Sequence, residues 1–290
     1  MAEAMQYLVT GLGVGLVYAI IGLGLVLIYQ VTGVINFAQG EFVMAGGLTF
    51  ALAAEAGWPL GAGLGAAILV AGLLGVLVEK LVIAPRRDMN PGRQVFLTLG
   101  AGIAIRGVAL VLIGTNPHFA PPITSGPPVE FFGARLPQQY LWILLSAAVV
   151  SLGLWFFLNR TLLGVSMRAV AIDRMASRIV GVSPGRMSLL AFALGGMLAG
   201  LAGSVLAPLQ SPDSMMGLHL GLYGFAAAAI GGLGSTVGAA VGGLVLGVVS
   251  SVAVGFLPSG YQNAVAFGLL AIILLVRPSG LLGWKAVTRV

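Results

Sequence analysis

The chain has 290 residues, 59% hydrophobic and only 8% charged, with a mean hydropathy of +1.06. A soluble domain of this length needs a polar surface that this composition cannot supply, which leaves an integral membrane protein. The net charge of +6 belongs to basic loops rather than to a nucleic-acid partner, and the absence of cysteine excludes disulfides, thiolate metal sites and cysteine nucleophiles.

The N-terminus, MAEAMQ, carries Glu3 and no basic residue, so the first apolar run is expected to be a span rather than the core of a cleaved signal. With about 17 to 25 apolar residues needed per crossing, the sequence predicts spans over Tyr7–Tyr29, Val34–Ala54, Pro59–Ala84, Val95–Ile113, Tyr140–Leu158, Met187–Leu209, Leu218–Gly232, Val237–Leu257 and Tyr261–Val276. The seventh and ninth are short, so the expectation is an all-α transmembrane helix bundle of about eight to ten spans, forming one domain over residues 1–290. Glycines four apart (Gly11/Gly15, Gly61/Gly65, Gly196/Gly200 and Gly234, Gly238, Gly242) favour close helix approach.

Basic residues set the orientation. Loop Pro85–Gln94 holds Arg86, Arg87 and Arg93, loop 159–186 holds five arginines, and the tail after Val276 holds Arg277, Lys285 and Arg289. Met1–Gln6 has no basic residue, and loop 115–139 has only Arg135. The positive-inside rule therefore places the N-terminus outside and the C-terminus in the cytoplasm, which requires an odd number of crossings. Loop 115–139, with Pro117, Pro121, Pro122, Pro127, Pro128 and Pro137, is expected to be an ordered external surface without regular helix.

Glu41 and Arg106 fall well inside spans, with Glu79 and Lys80 nearer a cytoplasmic end; intramembrane charge is costly and marks functional candidates. At about 1.5 Å rise per residue, Glu41 and Arg106 lie at depths an arginine can bridge, so one reading pairs them. In the other, Arg106 snorkels outward and Glu41 faces a watery cavity. The segment QVTGVINFAQGEFVMAGG crowds Gln30, Thr32, Asn36, Gln39 and Glu41 at the start of the second span, with Gly33 and Gly40 loosening the helix. Asn36 alone reads as a helix cap. Gln39 and Glu41 are not explained by capping, and polar groups at membrane depth line cavities, so Asn36, Gln39, Glu41 and Arg106 are expected along a substrate pathway. The string IGGLGSTVG over Ile230–Gly238 is either a tight turn or an unwound break that brings Gly232 and Gly234 to the facing wall. His118 and His219 are isolated, and no metal-ligand spacing involves them. No phosphate loop, HExxH or nucleophile triad is present, so no catalytic residue, metal or cofactor is expected, and any ATP is hydrolysed by another subunit.

Three blocks, taken in order, carry a resemblance: GLVYAIIGLGLVLIYQVTGVINFAQGEFVMAGG, RAVAIDRMASRIVGVSPGRMSLLAFALGGMLAGLAG and FAAAAIGGLGSTVGAAVGGLVLGV. Together they resemble the permeases of bacterial branched-chain amino acid ABC importers. That resemblance implies a multi-pass inner-membrane subunit that pairs with a homologous permease, two cytoplasmic ATPases and a periplasmic or extracellular solute-binding protein, and works by alternating access. It also implies that a helix over Ala169–Val180, stopped by Gly181 and Pro184, inserts into an ATPase cleft. Arg168, Ala171, Arg174 and Arg178 would then lie at the contact, and Asp173 either bonds an ATPase arginine or caps locally. The family also includes permeases for urea, short amides and other amino acids, and an ion-coupled transporter stands as a rival with Glu41 as its only support.

Overall fold

The structure is a computed structural model and describes residues 2–131, 133–258 and 261–283, so the expected tail cations Lys285 and Arg289 lie outside the described residues. Among the described residues six helices are long and apolar enough to cross a membrane: Glu3–Thr32, Leu60–Arg86, Pro91–Leu112, Gln139–Arg160, Pro184–Leu206 and Thr236–Phe256. They fall within α1 (Ala2–Thr32), α3 (Leu60–Val78 with its extension), α4 (Pro91–Leu112), α5 (Gln139–Arg160), α8 (Pro184–Leu206) and α10 (Thr236–Phe256). Three shorter helices, α2 (Gln39–Glu55), α9 (Met216–Gly231) and α11 (Gln262–Val276), run among them. A helix apolar on every side belongs in the middle of a bundle, and α1 takes that place, packed against α8, α9 and α10 with Ile20, Ile21, Val26 and Ile28 fully buried.

Small residues bring the central helices together. A Cβ on Gly203 of α8 would lie 2.1 Å from the Val43 carbonyl oxygen of α2, and one on Gly247 of α10 would lie 2.3 Å from Gly15 Cα of α1. Not every expected stripe is used: Gly61, Gly65 and Gly234 have nothing within 4 Å of such a Cβ. Spacing alone cannot say which face of a glycine-rich helix meets a neighbour.

Of the span boundaries that differ from expectation, two have a clear local cause. The second helix begins at Gln39 rather than Val34, because Gly33 ends α1 in the left-handed region (φ 72°) and Asn36 builds a separate turn. The expected third span to Ala84 is α-helical only to Val78. It continues as a π-turn over Glu79–Ile83 and a tight 3-10 turn over Ala84–Arg86. Pro85 explains this, since it lacks the N–H that a continuing helix requires.

Loop 115–139 contains an antiparallel hairpin that the sequence reading lacked, β1 (Val129–Phe131) and β2 (Ala134–Leu136). It is held to the first helix by reciprocal bonds, Arg135 N–H to Gln6 Oε1 at 2.8 Å and Gln6 Nε2 to the Arg135 carbonyl at 3.0 Å. At the same end the Phe119 N–H donates to Glu55 Oε1, and His118 bonds Glu55 Oε2. The opposite end gathers the arginine-rich segments: Arg174 donates to the Val31 carbonyl, Arg87 reaches Gly185, and Gln30 donates to the Gly234 carbonyl. There Arg87 also pairs with the buried Glu79. The chain after α11 is stapled to the end of α9 by Leu281 N–H to Ile230 and Leu282 N–H to Gly231.

Candidate functional site

The polar string before α2 is spent mostly on holding helices in place. Asn36 is fully buried; its Oδ1 accepts the Ala38 N–H at 3.1 Å and its amide reaches Gln39 Oε1 at 3.4 Å. Gln39 in turn donates to the Gly195 carbonyl of α8 at 2.9 Å. The Phe37 N–H donates to Thr98 Oγ1, which fastens the same turn to α4. Each of these groups would be a costly unpaired dipole in the bilayer, and together they satisfy one another.

Glu41 does not follow that pattern. Its Oε1 pairs with Arg106 Nη2 across the α2–α4 interface, so the pairing expectation matches the geometry and the snorkelling alternative does not. The Glu41 side chain is 3% exposed and that of Arg106 19%. One oxygen and one nitrogen of the pair, Glu41 Oε2 and Arg106 Nε, are buried without a partner. The pair opens on a cavity of about 280 Å³ between α2, α4 and α9, whose other walls include Phe37, Leu99, Ile103, Leu218 and Leu222. α9 can come this close because Gly40 and Gly217 meet backbone to backbone, and a Cβ on Gly217 would lie 2.5 Å from Glu41 Oε2.

The arrangement is a charged pair in an apolar chamber, neutral as a unit. A lone charge at the bilayer centre costs about 2.5–3.5 kcal/mol even on permissive insertion scales, and a pair offsets much of that. α4 carries the arginine while packing little on its own bundle, with Phe96, Ile103 and Val111 more than two-thirds exposed.

Gly232 and Gly234 lie elsewhere. Gly232 (φ 108°) ends α9, and Ser235 caps α10 by accepting the Gly238 N–H at 3.0 Å. The string Ile230–Gly238 is thus a tight turn at the arginine-rich end, and neither glycine lines the Glu41 cavity.

The 159–186 loop also departs from expectation. In place of one helix over Ala169–Val180 there are two, α6 (Leu162–Ile172) and α7 (Arg174–Ile179). Asp173 breaks them apart: its Oδ1 accepts the N–H groups of Met175 (2.8 Å) and Ala176 (2.9 Å), a cap that competes with continuing the helix. Gly181 (φ 84°) then ends α7, as its sequence position led us to expect. Arg168 bonds Asn159 Oδ1 at 2.9 Å and Arg174 is tied to the end of α1, so both fasten the loop to the bundle. Arg178 lines a small polar cavity of about 110 Å³ with Arg87 and Arg174. Ala171 is exposed. Sequence reasoning followed the charges and missed the apolar side chains: Ile172, Met175, Ile179 and Val180 are each at least 74% exposed. Their near-helical spacing was readable, but only the fold shows that no core receives them.

The two backbone N–H groups hold the Asp173 carboxyl below its ordinary value of 3.8. The native state thus gains from ionised Asp173 at pH above that ordinary value, and the gain is lost as pH falls through the lowered native one. The protection factors of the Met175 and Ala176 amides, each rate taken relative to the intrinsic exchange rate at that pH, are expected to fall on acidification. Asp173→Asn, which caps without titrating, should remove the pH dependence while keeping protection.

Residues 7–275 match the family model described as the branched-chain amino acid transport system / permease component. The chain belongs to this family. Among its relatives, LivH of Escherichia coli strain K12, a high-affinity branched-chain amino acid transport system permease protein, is 30% identical over 99% of this chain and 97% of LivH. LivM of the same organism, named as a permease protein of the same kind of system, is 27% identical over 96% of this chain and 68% of LivM. In fold, this permease resembles PsaBC from Streptococcus pneumoniae in complex with Fab, with a TM-score of 0.53 at 16% identity, covering 95% of this chain and 92% of that one. α2, α4 and α9, which form the Glu41–Arg106 cavity, all lie within the residues matched to the family model.

Proposed function

We propose that this chain is the permease subunit of an ATP-driven importer for branched-chain amino acids in the bacterial inner membrane. The observation that carries the reading is the family match over residues 7–275. The positive-inside rule, applied to the arginine-rich end of the bundle, puts that end in the cytoplasm and the N-terminus outside. Nine crossings then follow, the six long helices joined by α2, α9 and α11. The Glu41–Arg106 chamber is the substrate pathway, with Asn36 and Gln39 as the struts that hold α2 in position beside it.

Two cytoplasmic ATPases supply the power, a second homologous permease completes the pore, and a solute-binding protein delivers substrate to the hairpin end. LivH and LivM, two permease proteins named for such a system in one organism, support a partner of the same family. The loosely packed α4 supports its location, since an intramembrane arginine on so exposed a helix needs a protein or water-filled surface opposite it. The 159–186 loop is the coupling element, with α7 as its tip.

Reconstitution in proteoliposomes with the partner subunits tests the reading: labelled leucine, isoleucine or valine should accumulate only with ATP. Uptake of urea or an amide in preference to leucine would reassign the substrate, and uptake by this chain alone under a proton gradient would overturn the ATP-driven mechanism.

A further inference from the structure

We infer that the Glu41–Arg106 pair is a zwitterion reader: its unused Glu41 Oε2 takes the α-ammonium of a passing amino acid, and its unused Arg106 Nε donates to the α-carboxylate. The inference rests on the transport function proposed above and adds how the chamber recognises its cargo. Arginine and carboxylate commonly close a two-bond fork in which both oxygens and two N–H groups are spent. Here only one bond is made, between Glu41 Oε1 and Arg106 Nη2, and the second acceptor and second donor are both buried and unpartnered. A buried polar atom left unmet is costly, more so when it is charged, so the site favours any occupant that satisfies both atoms.

An α-amino acid supplies the matching set, a cationic donor and an anionic acceptor on one carbon. The pair carries no net charge and neither does the zwitterion, so entry adds no net charge to the membrane interior. The remaining walls set the side-chain preference. Phe37, Leu99, Ile103, Leu218 and Leu222 offer no hydrogen-bonding side chain, so an aliphatic side chain is accepted while a hydroxyl, amide or charge would be stranded. The volume of about 280 Å³ is close to the lower end of small-molecule sites, about 300 Å³, and suits one small solute. Gly217 packs close to this oxygen, and any side chain there would crowd Glu41 Oε2.

The absence of cysteine gives a direct test in the assembled transporter. Leu222→Cys places a single thiol of this chain on the chamber wall, and its rate of alkylation by N-ethylmaleimide is followed with millimolar ligand present. Leucine is expected to slow the reaction severalfold, whereas 4-methylpentanoate, which lacks the ammonium, and isoamylamine, which lacks the carboxylate, should leave it unchanged. Equal protection by all three, or none by leucine, would overturn the assignment. A second arm uses the double variant Glu41→Gln, Arg106→Gln, which keeps an amide hydrogen bond between the helices and removes both charges. Leucine uptake should fall at least about tenfold in variant complexes that still recover the partner permease and both ATPases on purification. Wild-type uptake by the double variant would sink the zwitterion reader and leave the proposed function standing. Wild-type protein that imports no amino acid at all would instead defeat the proposed function.

Discussion

Gly40→Val is expected to separate α2 from α9 and to abolish uptake, whereas Gly61→Ala should change little. A Cβ on Gly40 would stand 2.0 Å from the Gly217 carbonyl oxygen, 2.7 Å from Gly221 Cα and 2.8 Å from Gly221 N. All three are backbone atoms, so no rotamer change relieves the clash and one helix must move. Overpacking of this kind costs about 1–3 kcal/mol and occasionally more, and a β-branched residue against backbone belongs at the top of that range. The effect on function should exceed the effect on stability, because the same two helices form the chamber beside Glu41. Gly61 is the control: it is equally helical and equally glycine, with nothing within 4 Å of an added Cβ, so its substitution should stay within about 0.5 kcal/mol. Thermal unfolding in detergent, followed beside leucine uptake in proteoliposomes, measures both. Equal behaviour of the two variants would mean that the α2–α9 contact does not matter.

The contrast between Gly40 and Gly61 also shows what was legible in the sequence. Hydropathy located the apolar segments because a bilayer demands them, and the single pair Glu41–Arg106 stood out because charge in hydrocarbon is rare. Both signals come from physics that acts on each residue separately. What the sequence could not supply was partnership. Gln39 reads as a pathway residue until its amide is found on Gly195 of α8, a contact 156 positions along the chain. The glycines four apart look alike until neighbouring helices select some and leave others empty. In sequence Asp173 reads as either a partner for an ATPase or a local cap; its bonds to Met175 and Ala176 make it a cap and split the expected helix. The apolar residues of the loop went unnoticed for the opposite reason, since in so hydrophobic a chain another isoleucine carries no signal until its surroundings are known.

Those loop residues carry the second large effect. Replacing Met175 and Ile179 together by Asp should abolish ATP-dependent uptake by preventing the ATPases from docking, with the bundle itself intact. Both side chains are more than three-quarters exposed on α7, at the arginine-rich end where the ATPases are proposed to sit. A patch made of Ile172, Met175, Ile179 and Val180 buries nothing of this chain's own, so charging it leaves the internal packing untouched. At about 1.5–3 kcal/mol for each large apolar side chain withdrawn from water, two such residues contribute enough to decide whether a subunit contact of moderate affinity forms. The arginines make the complementary test. Arg168 and Arg174 bond Asn159 and the Val31 carbonyl, so Arg168→Ala and Arg174→Ala should loosen the loop and weaken coupling only in part, without releasing the ATPase. Co-purification of the ATPase with each variant, alongside ATP hydrolysis, separates the two roles. If the aspartate pair retains the ATPase and the arginine variants lose it, the contact is electrostatic and the apolar patch is not the docking surface.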